Sequence, residues 1–288
     1  MSNIKYFIQY ICIIAFFFIF KLLGYKNSTK FSGLLFVLFG SVFRSKKIAY
    51  QNIKLALKKS TYSEQRKIIK KMWFNYGRIF AEYLYIDKFR NSPIFSKKIK
   101  VENQNILDEI KASGEQVIFV SGHFDNFELM AMHIEKTGIN LAAVYRPLNN
   151  KFLNPKMESI RRKFICKKQI KKGISGTRHL LKEFRSKTSI AIMIDQRVSE
   201  GLSCKLFGKN AFTTTIPAQF AKKFNTRIVP IHIERVFGNN FNIKVFDPIK
   251  FKKNHSIQDI TLHLNQVLEK MILKNPDQWI WTHNRWKQ

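Results

Sequence analysis

The chain has 288 residues, 45% of them hydrophobic, which is enough apolar mass to fill a sizeable core and excludes a disordered protein. Lys and Arg number 51 against 19 Asp and Glu, a formal net charge of +32, so the partner is acidic: nucleic acid, an anionic membrane surface, or an acidic protein or substrate. Cys12, Cys166 and Cys204 are odd in number and far apart, which excludes a disulfide framework or zinc cluster and reads as reduced thiols with no metal.

Residues 6–23 are apolar except for Gln9 and Lys21, with an unbroken run over 10–20. A membrane helix wants roughly 20 apolar residues, whereas about 10–14 suits a signal-peptide core or an interfacial helix. Leu22-Leu23-Gly24-Tyr25 offers no small-residue cleavage site, so residues 1–24 read as an uncleaved anchor, single-pass or lying on the membrane. Lys21, Lys26, Lys30, Arg44, Lys46 and Lys47 follow it and only Lys5 precedes it, which favours a cytoplasmic body. Residues 31–43 form a second apolar stretch, interrupted by Gly33 and Gly40, too short to span and suited to lying flat on a bilayer. Residues 48–85 carry a helical pattern with Lys54, Lys58, Lys59, Lys67, Lys70 and Lys71 between apolar positions, either a solvated face or one for anionic headgroups. Residues 25–100 are therefore expected to form a basic amphipathic helical region. Phe, at 27 residues, and a general preference for Lys and Ile also mark a composition bias, so part of the lysine excess carries no functional information.

Beyond residue 100, short apolar runs alternate with helical stretches. Strands are predicted at 117–120, 141–145, 189–194, 227–233 and 242–246, and helices at 127–136, 157–164, 177–185, 217–224 and 257–273. This alternation predicts an α/β core over residues 101–288, with a mainly parallel central sheet flanked by helices.

The stretch Ser121-Gly122-His123-Phe124-Asp125-Asn126-Phe127-Glu128 follows a buried strand and opens a helix, where open α/β sheets place their sites. Gly122 permits a tight turn, and a helix beginning near Asn126 is expected to put Glu128 in its first turn, pointing back at His123. A neutral imidazole can take a proton from an attacking hydroxyl, and a carboxylate can fix its tautomer and stabilise the imidazolium. No serine or cysteine nucleophile is needed if the acceptor hydroxyl attacks directly. Taken alone, His and Glu at this spacing are common in helix caps and surface pairs.

Further blocks sharpen the reading. Val144-Tyr145-Arg146-Pro147-Leu148-Asn149-Asn150, Asp195-Gln196, Phe207-Gly208, Thr213-Thr214-Thr215 with Pro217-Ala218, and the ending Pro276-Asp277-Gln278-Trp279-Ile280-Trp281 with Arg285-Trp286 occur in order along the chain. Together with the His-x-x-x-x-Glu motif, they resemble the late acyltransferases of lipid A biosynthesis, the lauroyl and myristoyl transferases. The resemblance implies His123 and Glu128 as the catalytic pair and Asp195 as a functional carboxylate at a strand end. It also implies supporting roles for Gln196 and Thr214. Arg146 and one of Arg161 or Arg162 match arginines expected to contact anionic acceptor groups or the oxyanion. The implied donor is acyl carrier protein, itself acidic, and the implied acceptor an anionic glycolipid at the cytoplasmic face of a Gram-negative inner membrane; neither cofactor nor metal is required. Acyl-CoA as donor or another glycolipid as acceptor remains the nearest alternative. A basic nucleic-acid-binding protein would also explain the charge, but the sequence carries no zinc finger, RNA-recognition signature or aromatic-basic stripe, and an apolar amino terminus is out of place there. Trp279, Trp281 and Trp286 read as a packing element or an interfacial belt, and the histidines other than His123 as core or surface residues.

Overall fold

The computed structural model describes residues 2–287. It opens with α1 (Ser2–Phe43), α2 (Lys46–Ala56), α3 (Tyr62–Glu82), α4 (Ile86–Asn91) and α5 (Pro93–Ser96). The α/β part follows: β1 (Ile99–Glu102), α6 (Gln104–Ser113), β2 (Ile118–Ser121), α7 (Glu128–Lys136), β3 (Leu141–Tyr145), α8 (Asn154–Ile160), β4 (Lys168–Lys171), α9 (Ile174–Arg185) and β5 (Ser189–Met193). It closes with β6 (Leu202–Leu206), β7 (Lys209–Thr213), α10 (Ile216–Phe224), β8 (Ile228–Arg235), β9 (Phe241–Val245) and α11 (Ile257–Lys274).

Seven strands form one sheet in the order β1-β9-β8-β2-β5-β3-β4, parallel throughout except between β8 and β9. The central strands β2 and β8 are buried at every position, as expected where helices cover both faces of a parallel sheet. Strands β6 and β7 form a separate antiparallel hairpin. Its turn, Phe207-Gly208, has φ of 52° and 74°, the double positive φ of a type I′ hairpin, which accounts structurally for that dipeptide.

The fold class expected from sequence is the one observed. Strands β1 and β4 and the β6–β7 hairpin were not predicted; β1 and β4 are edge strands of four residues, and lysines break their apolar pattern. Residues 48–85 are not one helix, since a turn at Leu57–Ser60 separates α2 from α3, and Thr61 restarts the chain with a capping box to Glu64.

α1 is two helices joined at Gly24, whose φ of 71° and ψ of 171° only glycine adopts readily. Its second half lies against α3. Gly77 there comes so close that an added Cβ would meet the Ser32 carbonyl oxygen at 2.2 Å, while the Ser32 hydroxyl donates to the Gly77 carbonyl at 2.6 Å. Gly33 and Gly40, which break the apolar run in sequence, face Phe74 and Trp73 of α3.

Candidate active site

The site forms beyond the carboxyl ends of the adjacent strands β2 and β5, which deliver His123 and Asp195 side by side. Gly122 is required there by close approach: an added Cβ would meet Phe124 at 2.9 Å, Leu268 at 3.0 Å and the Asp195 Cβ at 3.2 Å.

The four residues between His123 and Glu128 act as an anchor. Phe124, Asp125 and Asn126 are fully buried, and Asp125 takes a positive φ of 34°. A buried Arg235 from β8 holds this turn, with Nη2 and Nε donating to Asp125 at 2.6 and 3.1 Å and Nη1 and Nη2 donating to Glu82 at 2.7 and 3.0 Å. Asn126 donates its amide to Glu82 at 2.9 Å, and the Asp125 N–H donates to the Gln278 carbonyl at 2.9 Å. Buried charges without partners are costly, so this closed network of one guanidinium and two carboxylates fixes the turn firmly.

Asp195 holds the histidine. Its Oδ1 lies 2.8 Å from His123 Nδ1, and its Oδ2 accepts from the His123 backbone N–H at 2.8 Å and from the Trp279 indole N–H at 2.9 Å. Burial raises an acid, but the neighbouring His123 and these donors outweigh it and bring Asp195 down to about 2. For His123, burial lowers the basicity, and the charges of Asp195 and Glu128 reverse that effect and leave it raised. With Nδ1 engaged by the carboxylate, Nε2 is the nitrogen left to exchange a proton with substrate.

Glu128 does not hold the His123 ring, contrary to the expected orienting role. Its Oε1 accepts from the Tyr83 hydroxyl at 2.6 Å and from Arg161 Nε and Nη2 at 2.9 and 2.6 Å. The reason is local: Glu128 opens α7, and Arg161 sits in a single π-helical turn, Arg161–Ile165, that packs against α7. The carboxylate thus fixes a guanidinium whose charge reaches His123, and the histidine takes its orienter from Asp195, just past the end of β5.

The structure separates the remaining candidates. Arg161, not Arg162, joins Glu128, and Arg162 is exposed. Arg146 is exposed just past β3, outside the Glu128–Arg161 pair, and its charge lowers the neighbouring Lys172 together with burial, the larger cause. Gln196 follows Asp195 and has no side-chain hydrogen bond among the described residues. The Thr214 hydroxyl accepts from the Ile216 N–H at 3.4 Å, a turn contact at the entry to α10. Thr213 instead receives Nη2 of the fully buried Arg285 at 2.7 Å.

Sequence reasoning missed Tyr83 and the polar role of Trp279, and it treated His283 as an ordinary histidine. Burial holds His283 at about 4, so it is neutral and its Nε2 accepts from the Arg197 N–H at 2.9 Å, two residues beyond Asp195. The signal for Trp279 lay in the ending motif itself, read as aromatic when its N–H mattered.

Two comparisons complete the picture. Among curated proteins nothing matches. The family model described as bacterial lipid A biosynthesis acyltransferase matches residues 1–288, the whole chain, and with the parallel sheet and the histidine site at its carboxyl end this protein belongs to that acyltransferase family.

Proposed function

We propose that the protein moves a fatty acyl group from acyl carrier protein to a hydroxyl of a lipid A precursor, in a late acylation step at the cytoplasmic face of the inner membrane. The observation that carries this reading is the His123–Asp195 pair at 2.8 Å, with Nε2 free of the carboxylate and the Arg161 guanidinium fixed nearby by Glu128. Asp195 holds the Nδ1–H tautomer, and His123 Nε2 takes the proton of the acceptor hydroxyl as its oxygen attacks the thioester carbonyl. The carbonyl electrons move onto oxygen, and Arg161 stabilises the oxyanion. Collapse of the intermediate expels the thiolate, which takes the proton back from Nε2. Glu128 and Tyr83 hold the guanidinium, and Asp195 stabilises the transient imidazolium. Arg146 and Lys172, neighbouring cations beyond the ends of adjacent strands, suit the phosphate or acidic sugar of the acceptor.

Mass spectrometry of lipid A from cells with and without the gene tests the acceptor, and assays with carrier-protein and CoA thioesters test the donor. The expected result is one acyl chain missing without the gene, restored by wild type and not by His123→Ala. Unchanged lipid A in the deletion, or full rescue by His123→Ala, would overturn the reading.

A further inference from the structure

The first half of α1 is clasped to the body at both ends. Near its start, the Asn150 amide donates to the Tyr6 carbonyl at 2.8 Å and to Gln9 Oε1 at 3.3 Å, and the Phe152 ring meets Phe7 and Tyr10 at centroid distances of 5.4 and 6.3 Å. Near its end, the Tyr85 hydroxyl donates to the Phe20 carbonyl at 2.9 Å, and the rings of Phe17 and Phe20 lie 5.2 and 5.9 Å from Phe80. Between the clasps, Tyr6, Tyr10, Ile13, Phe17 and Phe20 recur at helical spacing, and each is more buried than its outward neighbours. At about 1.5 Å per residue, the two clasps stand roughly 21 Å apart along the helix.

That separation decides the orientation. A helix crossing the roughly 30 Å hydrocarbon layer from a body in the headgroups would carry the Asn150 clasp about 20 Å into lipid. The connection after β3 would go with it, including Arg146 and Lys151, both exposed. Each such charge costs at least about 2.5–3.5 kcal/mol at that depth, and irregular backbone is not tolerated facing lipid.

We propose that α1 lies in the plane of the membrane surface and docks the protein on one anionic leaflet, without crossing it. The clasped stripe faces the body, and Ile8, Ile11, Phe18, Leu22, Leu38 and Val42 are exposed for insertion among the acyl chains. Such helices seat about 5–10 Å deep, and the exposed Lys5 and Lys21 before Gly24 and Lys26 and Lys30 after it supply charge for anionic headgroups. The Asn150 clasp belongs to the connection that begins at Arg146, so docking brings this rim of the site to the leaflet in which a lipid acceptor resides. The inference rests on the proposed function in naming a bilayer as partner and a lipid as acceptor.

The test uses full-length protein in oriented inner-membrane vesicles with a membrane-impermeant maleimide. In a Cys12→Ser background, Asn3→Cys reports the start of α1 and Lys209→Cys the body, both at exposed positions, while Cys166 and Cys204 are buried. The expected result is that Asn3→Cys and Lys209→Cys label from the same side. Labelling of Asn3→Cys from the opposite side only, or not until detergent is added, would overturn the proposal. A Gln9→Cys, Asn150→Cys pair should also cross-link in the same vesicles through a short bis-maleimide; two reactive thiols that never cross-link would overturn the clasp. Acyl transfer by wild type, measured in parallel, separates the two ideas, since its absence would remove the function and leave the labelling result standing.

Discussion

Asp195 accepts three hydrogen bonds, from the His123 ring, the His123 backbone and the Trp279 indole, and each favours the carboxylate over the acid. Replacing His123 with Ala or Asp195 with Asn should each lower kcat by about 100-fold or more, and the double variant should fall far short of the product, because the two act as a unit. The pH profile carries the sign. His123 must be neutral to accept a proton, so wild-type activity falls as pH drops through its raised pKa. In Asp195→Asn the raising charge is gone and burial lowers the imidazole, so the acid limb should move to lower pH even as the plateau drops. An acid limb that stays in place would mean that another group titrates. Trp279→Phe keeps the ring and removes only the N–H donor; it should cost kcat about 10-fold, move the acid limb upward and leave KM for the donor unchanged. An unchanged profile would reduce Trp279 to a packing residue. Asp195 was legible in the sequence only through family resemblance, and its pairing with His123 was not, since 72 residues separate them and only the adjacency of β2 and β5 brings them together. Glu128 was legible by position but not by partner, because Tyr83 and Arg161 reach it from 45 and 33 residues away.

At the scale of elements, hydrophobic pattern predicted the central strands and the longer helices well, because buried parallel strands are apolar runs and amphipathic helices repeat every three to four residues. It failed for β1 and β4, whose lysines hide a strand pattern, and for α1, where a glycine set by backbone geometry joins two apolar segments that read as separate. The contact of α1 with α3 also depends on a feature that pattern cannot show. Gly77→Ala should destabilise the protein by about 1–3 kcal/mol, since its Cβ would strike a carbonyl oxygen that has no room to retreat. Thermal unfolding in detergent checks this. A melting temperature equal to wild type would mean that the two helices separate at little cost.

For the whole molecule, the formal charge of +32 predicts, on the proposed function, a salt-dependent encounter with acidic partners. Added salt should raise the apparent KM for a carrier-protein donor, since exposed charges are screened over about 8 Å at physiological ionic strength, and should change the single-turnover rate far less. A Lys58/Lys70 double alanine variant should shift KM alone, whereas Arg161→Lys, which cannot keep both donors on Glu128 Oε1, should lower kcat at saturating substrate by about 100-fold. Equal salt-suppressible defects in both would make Arg161 one more surface charge. The Trp279 contact has a further consequence, in time. Trp279 follows every strand in the chain, so at roughly 5–20 residues per second the ribosome reaches it seconds after β9 is complete. Until then Asp195 lacks its third donor, and His123 is held by the carboxylate through its ring and backbone contacts alone. A newborn chain therefore holds both members of the His123–Asp195 pair before it holds the indole that completes their setting.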